Sequence, residues 1–158
     1  MEKRIILILR GLQGSGKTTF ARQWVAEDQS ARVRFNRDDV RNMFGPYWVP
    51  RREHLITDLY WDFLYNATAN GYNIVIDNMN LNENCIEELV DFVEDTNEFL
   101  KLTPLKIEYE IEIKDFFNVP LEECIERDSK RENPIGEKVI RQTYNKYKDK
   151  IAPWKYLG

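Results

Sequence analysis

Residues 5–18 read Ile5-Ile6-Leu7-Ile8-Leu9-Arg10-Gly11-Leu12-Gln13-Gly14-Ser15-Gly16-Lys17-Thr18, an unbroken apolar run that stops at a glycine-rich octet. Consecutive large aliphatic residues suit a strand buried on both faces of a parallel sheet, where alternation is lost because neither face meets water. The octet Gly11 to Thr18 fits GxxxxGK[ST], and Phe20, Ala21, Trp24 and Val25 follow at helical spacing. Glycines in such a loop let backbone N–H groups turn toward a polyphosphate, and the helix that follows aims its positive end at the same point. Lys17 offers a point charge to the β and γ phosphates. Thr18 offers a hydroxyl to Mg²⁺, whose other ligands would be phosphate oxygens and water. Nucleoside triphosphate binding is the first expectation, with Gly11, Gly14, Ser15, Gly16, Lys17, Thr18 and Thr19 as candidate nucleotide-binding residues.

Moving outward, Ile74, Val75 and Ile76 form a second buried run, and Ile56, Leu59, Tyr60, Phe63 and Ala67 between the two recur at helical spacing, with Gly71 placed to cap the helix. Ile86, Leu89, Val90 and Val93 predict a helix from Glu83 to about Asn97. Its solvated face accounts for the seven acids and no base between Met79 and Leu100. Ile107, Tyr109, Ile111 and Ile113 alternate with charged residues as a strand does. Pro120 precedes a predicted helix through Glu126, and Pro134 opens another through Tyr147. Strands alternating with helices give an α/β sheet with helices on both faces.

Composition narrows the function. A chain of 158 residues fits one domain with room for a helical appendage. A net charge of -4 speaks against a histone-like binder of nucleic acid and leaves room for a local basic groove. Cys85, Cys124 and His54 are the only residues of their types, too few for a zinc cluster, and both thiols are expected to be free and buried. Lys3 and Arg4 before the first apolar run imitate an export signal, but five apolar residues are too few for its core. No run approaches a membrane span, so a cytoplasmic location is expected. A guanine switch is disfavoured: no Asp has Gly three places later, and Asn145-Lys146-Tyr147-Lys148 puts Lys where a guanine-reading carboxylate belongs. The length also disfavours an oligomeric motor and favours a small phosphotransferase.

Val33 to Phe35 is a short candidate strand that delivers Asn36-Arg37-Asp38-Asp39-Val40-Arg41 to the carboxyl edge of the sheet, where ligands of open parallel sheets bind. A carboxylate there can take the proton of an attacking hydroxyl, and Arg41, one turn beyond Asp38, can grip a phosphate bidentately. The same letters also fit a helix-capping Asp with surface ion pairs. Residues 31–55 hold Arg32, Arg34, Arg37, Arg41, Arg51 and Arg52 against three acids, with Phe44, Tyr47 and Trp48 among them. That mixture suits a single strand held by phosphate contacts and base stacking, and it equally suits aromatics packed on a neighbouring helix.

The phosphate loop, the stretch Asn36 to Arg41, Asn80-Leu81-Asn82, and the run from Val119 to Arg131 occur in one order. Together they resemble the kinase domain of bacteriophage-type polynucleotide 5′-hydroxyl kinase over nearly the whole length. The resemblance implies a P-loop kinase-like parallel sheet flanked by helices, as one domain over residues 1–158 with a helical lid at about 121–136. It implies ATP-dependent phosphorylation of the 5′-hydroxyl end of DNA or RNA, with ATP as donor and Mg²⁺ as cofactor. Asp38 is then the general base. Lys17 and Thr18 hold ATP and Mg²⁺, and Arg131 stabilises the transferring phosphoryl. Arg127 lies near the nucleotide, and Arg41, with Arg37, binds the acceptor. From spacing alone Arg127 and Arg131 also fit a solvated helix face.

One departure stands out: the family usually has Asp-Thr before Asn-Leu-Asn, whereas Asp77-Asn78-Met79 precede Asn80 here. One residue reverses side-chain direction on a strand end, so Asp77 is either an outer-shell partner of Mg²⁺ or Thr18, or a strand-terminal Asp. Rival acceptors for the same chemistry are a hydroxymethylated base in phage DNA, a nucleoside or a small metabolite. A non-catalytic nucleotide-binding protein is the more remote alternative. Without a DxD pair or KxDG, the chain is expected to rely on separate phosphatase or ligase proteins.

Overall fold

The computed structural model describes residues 1–46 and 48–150. The opening apolar run forms β1 (Glu2–Arg10). Its Ile6 and Ile8 face one core cluster and Leu7 and Leu9 the other, so both faces of the strand are covered. Around it stand β2 (Arg32–Phe35), β3 (Asn73–Ile76) and β4 (Ile107–Asp115) in the order β2-β3-β1-β4. All pairs are parallel, with Ile6 opposite Ile74 and Ile111, and Val33 opposite Ile74 on its other side. Parallel pairing brings every strand's carboxyl end to one edge, the edge that carries the phosphate loop.

On one face lies α1 (Lys17–Ala26), whose Ala21 packs on Leu7, Leu9 and Val75. On the other, α3 (Arg52–Ala69) and α4 (Glu83–Leu100) cover the larger cluster, in which Tyr60, Leu64, Ile86 and Leu89 meet Ile6, Ile8, Ile74 and Ile76. Between β2 and α3 the short α2 (Arg37–Met43) stands above the strand ends. As expected, Gly71 ends α3: at φ 75° it lets its own N–H donate to the Thr68 carbonyl while Tyr72 N–H donates to Ala67. α4 runs to Leu100, three residues past the predicted end, because Leu100 completes its buried stripe. From the same helix Asn97 donates to the Tyr109 carbonyl and accepts from Tyr109 N–H, closing part of the open edge of β4.

The last described elements are α5 (Leu121–Ser129) and α6 (Glu137–Tyr147). α5 starts directly after Pro120 as predicted. α6 begins three residues after Pro134, because Gly136 first turns the chain at φ 102°. Cys124 of α5 and Ile140 of α6 form a third cluster with Leu12 and Leu81, which seats both helices against the phosphate loop. The loop between the two helices is tied down by Asp128, 1% exposed, whose carboxylate accepts from the backbone N–H groups of Ile135 (3.1 Å) and Gly136 (2.9 Å).

Of the two thiols expected to be buried, Cys124 is and Cys85 is not. Cys85 precedes Ile86 in α4, so it sits about 100° around the helix from the buried stripe. Among the described residues no helix is long and apolar enough to cross a membrane.

Replacing Asp128 by Ala leaves two backbone donors without their acceptor. The expected cost is about 2 kcal/mol, or a drop of about 4–8 °C in thermal midpoint for a chain of this size. Thermal unfolding followed by circular dichroism measures it. An unchanged midpoint would show that Asp128 does not anchor the loop between α5 and α6.

Candidate phosphoryl-transfer site

A cleft of about 630 Å³ opens at the carboxyl edge of the sheet, between the phosphate loop, α2, the segment after β3 and α5. Its floor is the loop itself. Gly14 and Gly16 have φ of 78° and 99°, the left-handed region that favours glycine. A Cβ on Gly14 would collide with the carbonyl oxygen of Cys124, so α5 rests directly on the loop backbone. Gly11 lies buried beneath the cleft and donates its N–H to the Met79 carbonyl at 3.0 Å, joining the ends of β1 and β3. That join is reinforced by Asn80, whose amide donates to the Leu9 carbonyl at 2.7 Å and whose backbone sits at φ 52°.

Lys17 opens α1 and is only 8% exposed. Its Nζ donates to the carbonyls of Gly11 (2.9 Å) and Leu12 (2.7 Å). Burial pushes its pKa from 10.5 down to about 8, although the negative charges of Asp77 and Asp38 work in the opposite direction. The Ser15 hydroxyl is buried with no hydrogen-bond partner, as expected of a donor that awaits a ligand. Thr18, half-buried, and Thr19, exposed, follow on the first turn and line the cleft.

Opposite the loop, α2 carries the candidate acceptor residues. Asn36 caps the helix by accepting from Asp39 N–H at 2.9 Å, and its amide donates to the Asp77 carbonyl at 2.5 Å, fixing β2 to β3. Asp38 lines the cleft and accepts from Arg41 Nη1 at 2.6 Å. Arg41 in turn donates from Nε (3.0 Å) and Nη2 (2.6 Å) to the two oxygens of Glu53 on α3. This bidentate pair raises the pKa of Arg41 and holds that of Glu53 below the usual carboxylate range. Arg37 lies over the Tyr60 ring at 5.1 Å and donates to the Thr57 hydroxyl at 3.2 Å.

In the sequence Glu53 and Arg34 stand out only as charges. Yet Glu53, Thr57 and Tyr60 fall at i, i+4 and i+7 on the face of α3 that meets α2, a spacing that could have revealed them. Arg34 of β2 reaches Asp77 Oδ2 with Nε (2.9 Å) and Nη2 (2.8 Å), and Asp39 with Nη1 (2.6 Å). Asp77 follows the last residue of β3, where strand alternation no longer applies, and its side chain lines the cleft while only 1% exposed. Its Oδ1 is buried without a hydrogen-bond partner. An orphaned carboxylate oxygen and the Thr18 hydroxyl in one cleft fit a hydrated Mg²⁺ carried in on phosphates. Among the described residues no group of three acidic, His or Cys side chains forms a metal cage of its own.

From the other side α5 presents Arg127, paired with Glu123, whose Nη1 is 3.5 Å from where a Cβ on Gly16 would stand. Arg131, just past α5, lines the cleft 3.5 Å from Asp128 and is about half exposed. Every expected site residue except the buried Gly11 therefore meets in this one cleft. Of the aromatics in the arginine-rich stretch, Phe44 is half-buried and Trp48 exposed, and Tyr47 lies outside the described residues.

Comparison with known proteins agrees with this fold. Residues 6–154 match the family described as AAA domain. A chain of the Pnkp1/Rnl/Hen1 RNA repair complex is similar at 27% identity and TM-score 0.68, over 96% of this chain and 47% of that one. A chain of a second Pnkp1/Rnl/Hen1 structure is similar at 31% identity and TM-score 0.61, over 80% of this chain and 40% of that one. This chain thus spans less than half the length of either. The crystal structure of APE1195, at 23% identity and TM-score 0.59 over 98% and 82% of the two chains, shares the fold. These matches uphold the likeness to the polynucleotide kinase P-loop domain that the motifs suggested. The chain belongs to the AAA domain family and has its nucleotide-binding, kinase-like P-loop fold.

Proposed function

We propose that this protein transfers the γ-phosphoryl of ATP to the 5′-hydroxyl end of a polynucleotide, DNA or RNA. The observation that carries the reading is the placement of Asp38 in the wall of the same cleft whose floor holds Lys17, close enough for its charge to act on the lysine. In the proposed reaction the 5′ oxygen attacks the γ phosphorus in line, its proton passes to Asp38, the bond from phosphorus to the β–γ bridging oxygen breaks, and ADP departs.

Lys17 and the loop N–H groups hold the β and γ phosphates, and Arg127 flanks the nucleotide from α5. Arg131, on the segment 121–136 that we take as the lid, spreads charge from the equatorial oxygens. Thr18 would ligate a Mg²⁺ brought in with the phosphates and Asp77 would stand in its outer shell, and the ion would supply further charge neutralisation when bound. Arg41 orients Asp38 and meets the phosphate 3′ to the reacting nucleoside, with Glu53 fixing its guanidinium, and Arg37 borders the acceptor. That similar chains stand in an RNA repair complex supports a nucleic-acid acceptor and work beside partner proteins.

Labelled ATP offered to a panel of acceptors tests the reading. Label is expected on 5′-hydroxyl oligonucleotides, and label found only on hydroxymethylated bases, free nucleosides or metabolites would replace the acceptor class. Asp38→Asn should lower kcat by about 100-fold or more while ATP affinity survives; parallel loss of ATP affinity would make Asp38 a structural residue.

The depressed Lys17 pKa gives a pH signature. The unfolded chain keeps the lysine proton up to about 10.5 and the empty folded protein only up to about 8, so stability gains from this group as pH rises between those values. A bound triphosphate restores the charge, so nucleotide binding should take up a proton near pH 8 and weaken as pH rises above it. Calorimetry in buffers of different ionisation enthalpy detects that uptake. The absence of uptake, or the same uptake in Lys17→Ala, would contradict the assignment.

A further inference from the structure

Trp48 stands outside the mouth of the cleft and has no part in the reaction above. It lies in the segment between α2 and α3, is 60% exposed, and does not line the cleft. Phe44, from the same stretch, is half-buried, so the packing role open to these aromatics fits Phe44 and not Trp48. The indole centroid is 5.8 Å from the guanidinium carbon of Arg41, whose nitrogens also reach Asp38 and Glu53. Arg41 therefore neighbours both Asp38 in the cleft wall and the exposed Trp48. An exposed indole offers a large, flat π face on which a nucleic-acid base can stack. Arg51, exposed, and Arg52 follow it within a few residues and suit a polyanionic strand.

We propose that Trp48 is the stacking platform for the base of the acceptor's second nucleotide, which directs the site to the end of a single strand in preference to a mononucleotide. The inference rests on the reading of Asp38 and Arg41 given above. If Asp38 meets the 5′ hydroxyl and Arg41 the following phosphate, the next base emerges beside the indole. Stacking there tolerates any sequence, because every base has a π face, and a nucleoside 3′-monophosphate has no base to place on it.

The test compares kcat/KM for a 5′-hydroxyl trinucleotide with kcat/KM for a nucleoside 3′-monophosphate. In Trp48→Ala the ratio of trinucleotide to monophosphate should fall by about tenfold, and Trp48→Phe should recover most of it. Equal losses on both acceptors would overturn the proposal, since both carry the phosphate that Arg41 meets and Trp48 would then act only through Arg41. An unchanged ratio would overturn it too. Fluorescence anisotropy of a 3′-labelled single strand gives a readout free of catalysis: Trp48→Ala should weaken binding by about tenfold, and equal affinity would sink the subsite. Should the wild-type protein phosphorylate neither acceptor, the proposed reaction falls, and the anisotropy comparison decides the role of Trp48 by itself.

Discussion

A buried ammonium group organises this molecule. Lys17 sits at the foot of the cleft with two carbonyls for partners and almost no water, and carbonyl dipoles alone do not replace the lost hydration. The site is therefore built to receive negative charge. The glycines that fold the loop around the lysine, the orphaned Ser15 hydroxyl and the positive end of α1 all face the same need. A polyphosphate answers them together.

What stands opposite the loop is fixed by two arginines, each shared between carboxylates. Arg34 joins Asp77 to Asp39, and Arg41 joins Asp38 to Glu53. The four acids come from α2, α3 and the end of β3, and Arg34 from β2, so these pairs tie four elements around the cleft. Little of their worth is net stability, because desolvation of half-buried charges offsets much of the attraction. Their effect is geometric: the seven-residue α2, too short to hold a fixed orientation by itself, is pinned at its first turn and its last.

Much of this was legible in the sequence. The run from Ile5 to Leu9, the octet that follows and the helical spacing after it contain strand, loop and helix in consecutive residues, so local pattern sufficed. Asp38 was legible because a candidate strand delivers it to the ligand-binding edge of the sheet, and Arg41 because it lies one turn beyond. Glu53 and Arg34 were not, because their partners are 12 and 43 residues away and only the packing of α3 on α2 and the β2–β3 register bring them together. Asp77 shows the limit of a strand-based argument: alternation governs side-chain direction within β3, and Asp77 lies one residue beyond its end. Cys85 shows the limit of residue-type averages, since its place beside the buried stripe of α4 outweighs the usual preference of thiols for the interior.

In the proposed reaction Asp38 and the phosphate loop face one another across the space of a single acceptor hydroxyl. A crystal structure with a non-hydrolysable ATP analogue and a 5′-hydroxyl oligonucleotide measures this directly. The 5′ oxygen is expected within hydrogen-bond distance of the Asp38 carboxylate and in line with the γ phosphorus and its bridging oxygen. An acceptor oxygen out of reach of Asp38 in that ternary complex, with the nucleotide seated on the loop, would contradict it.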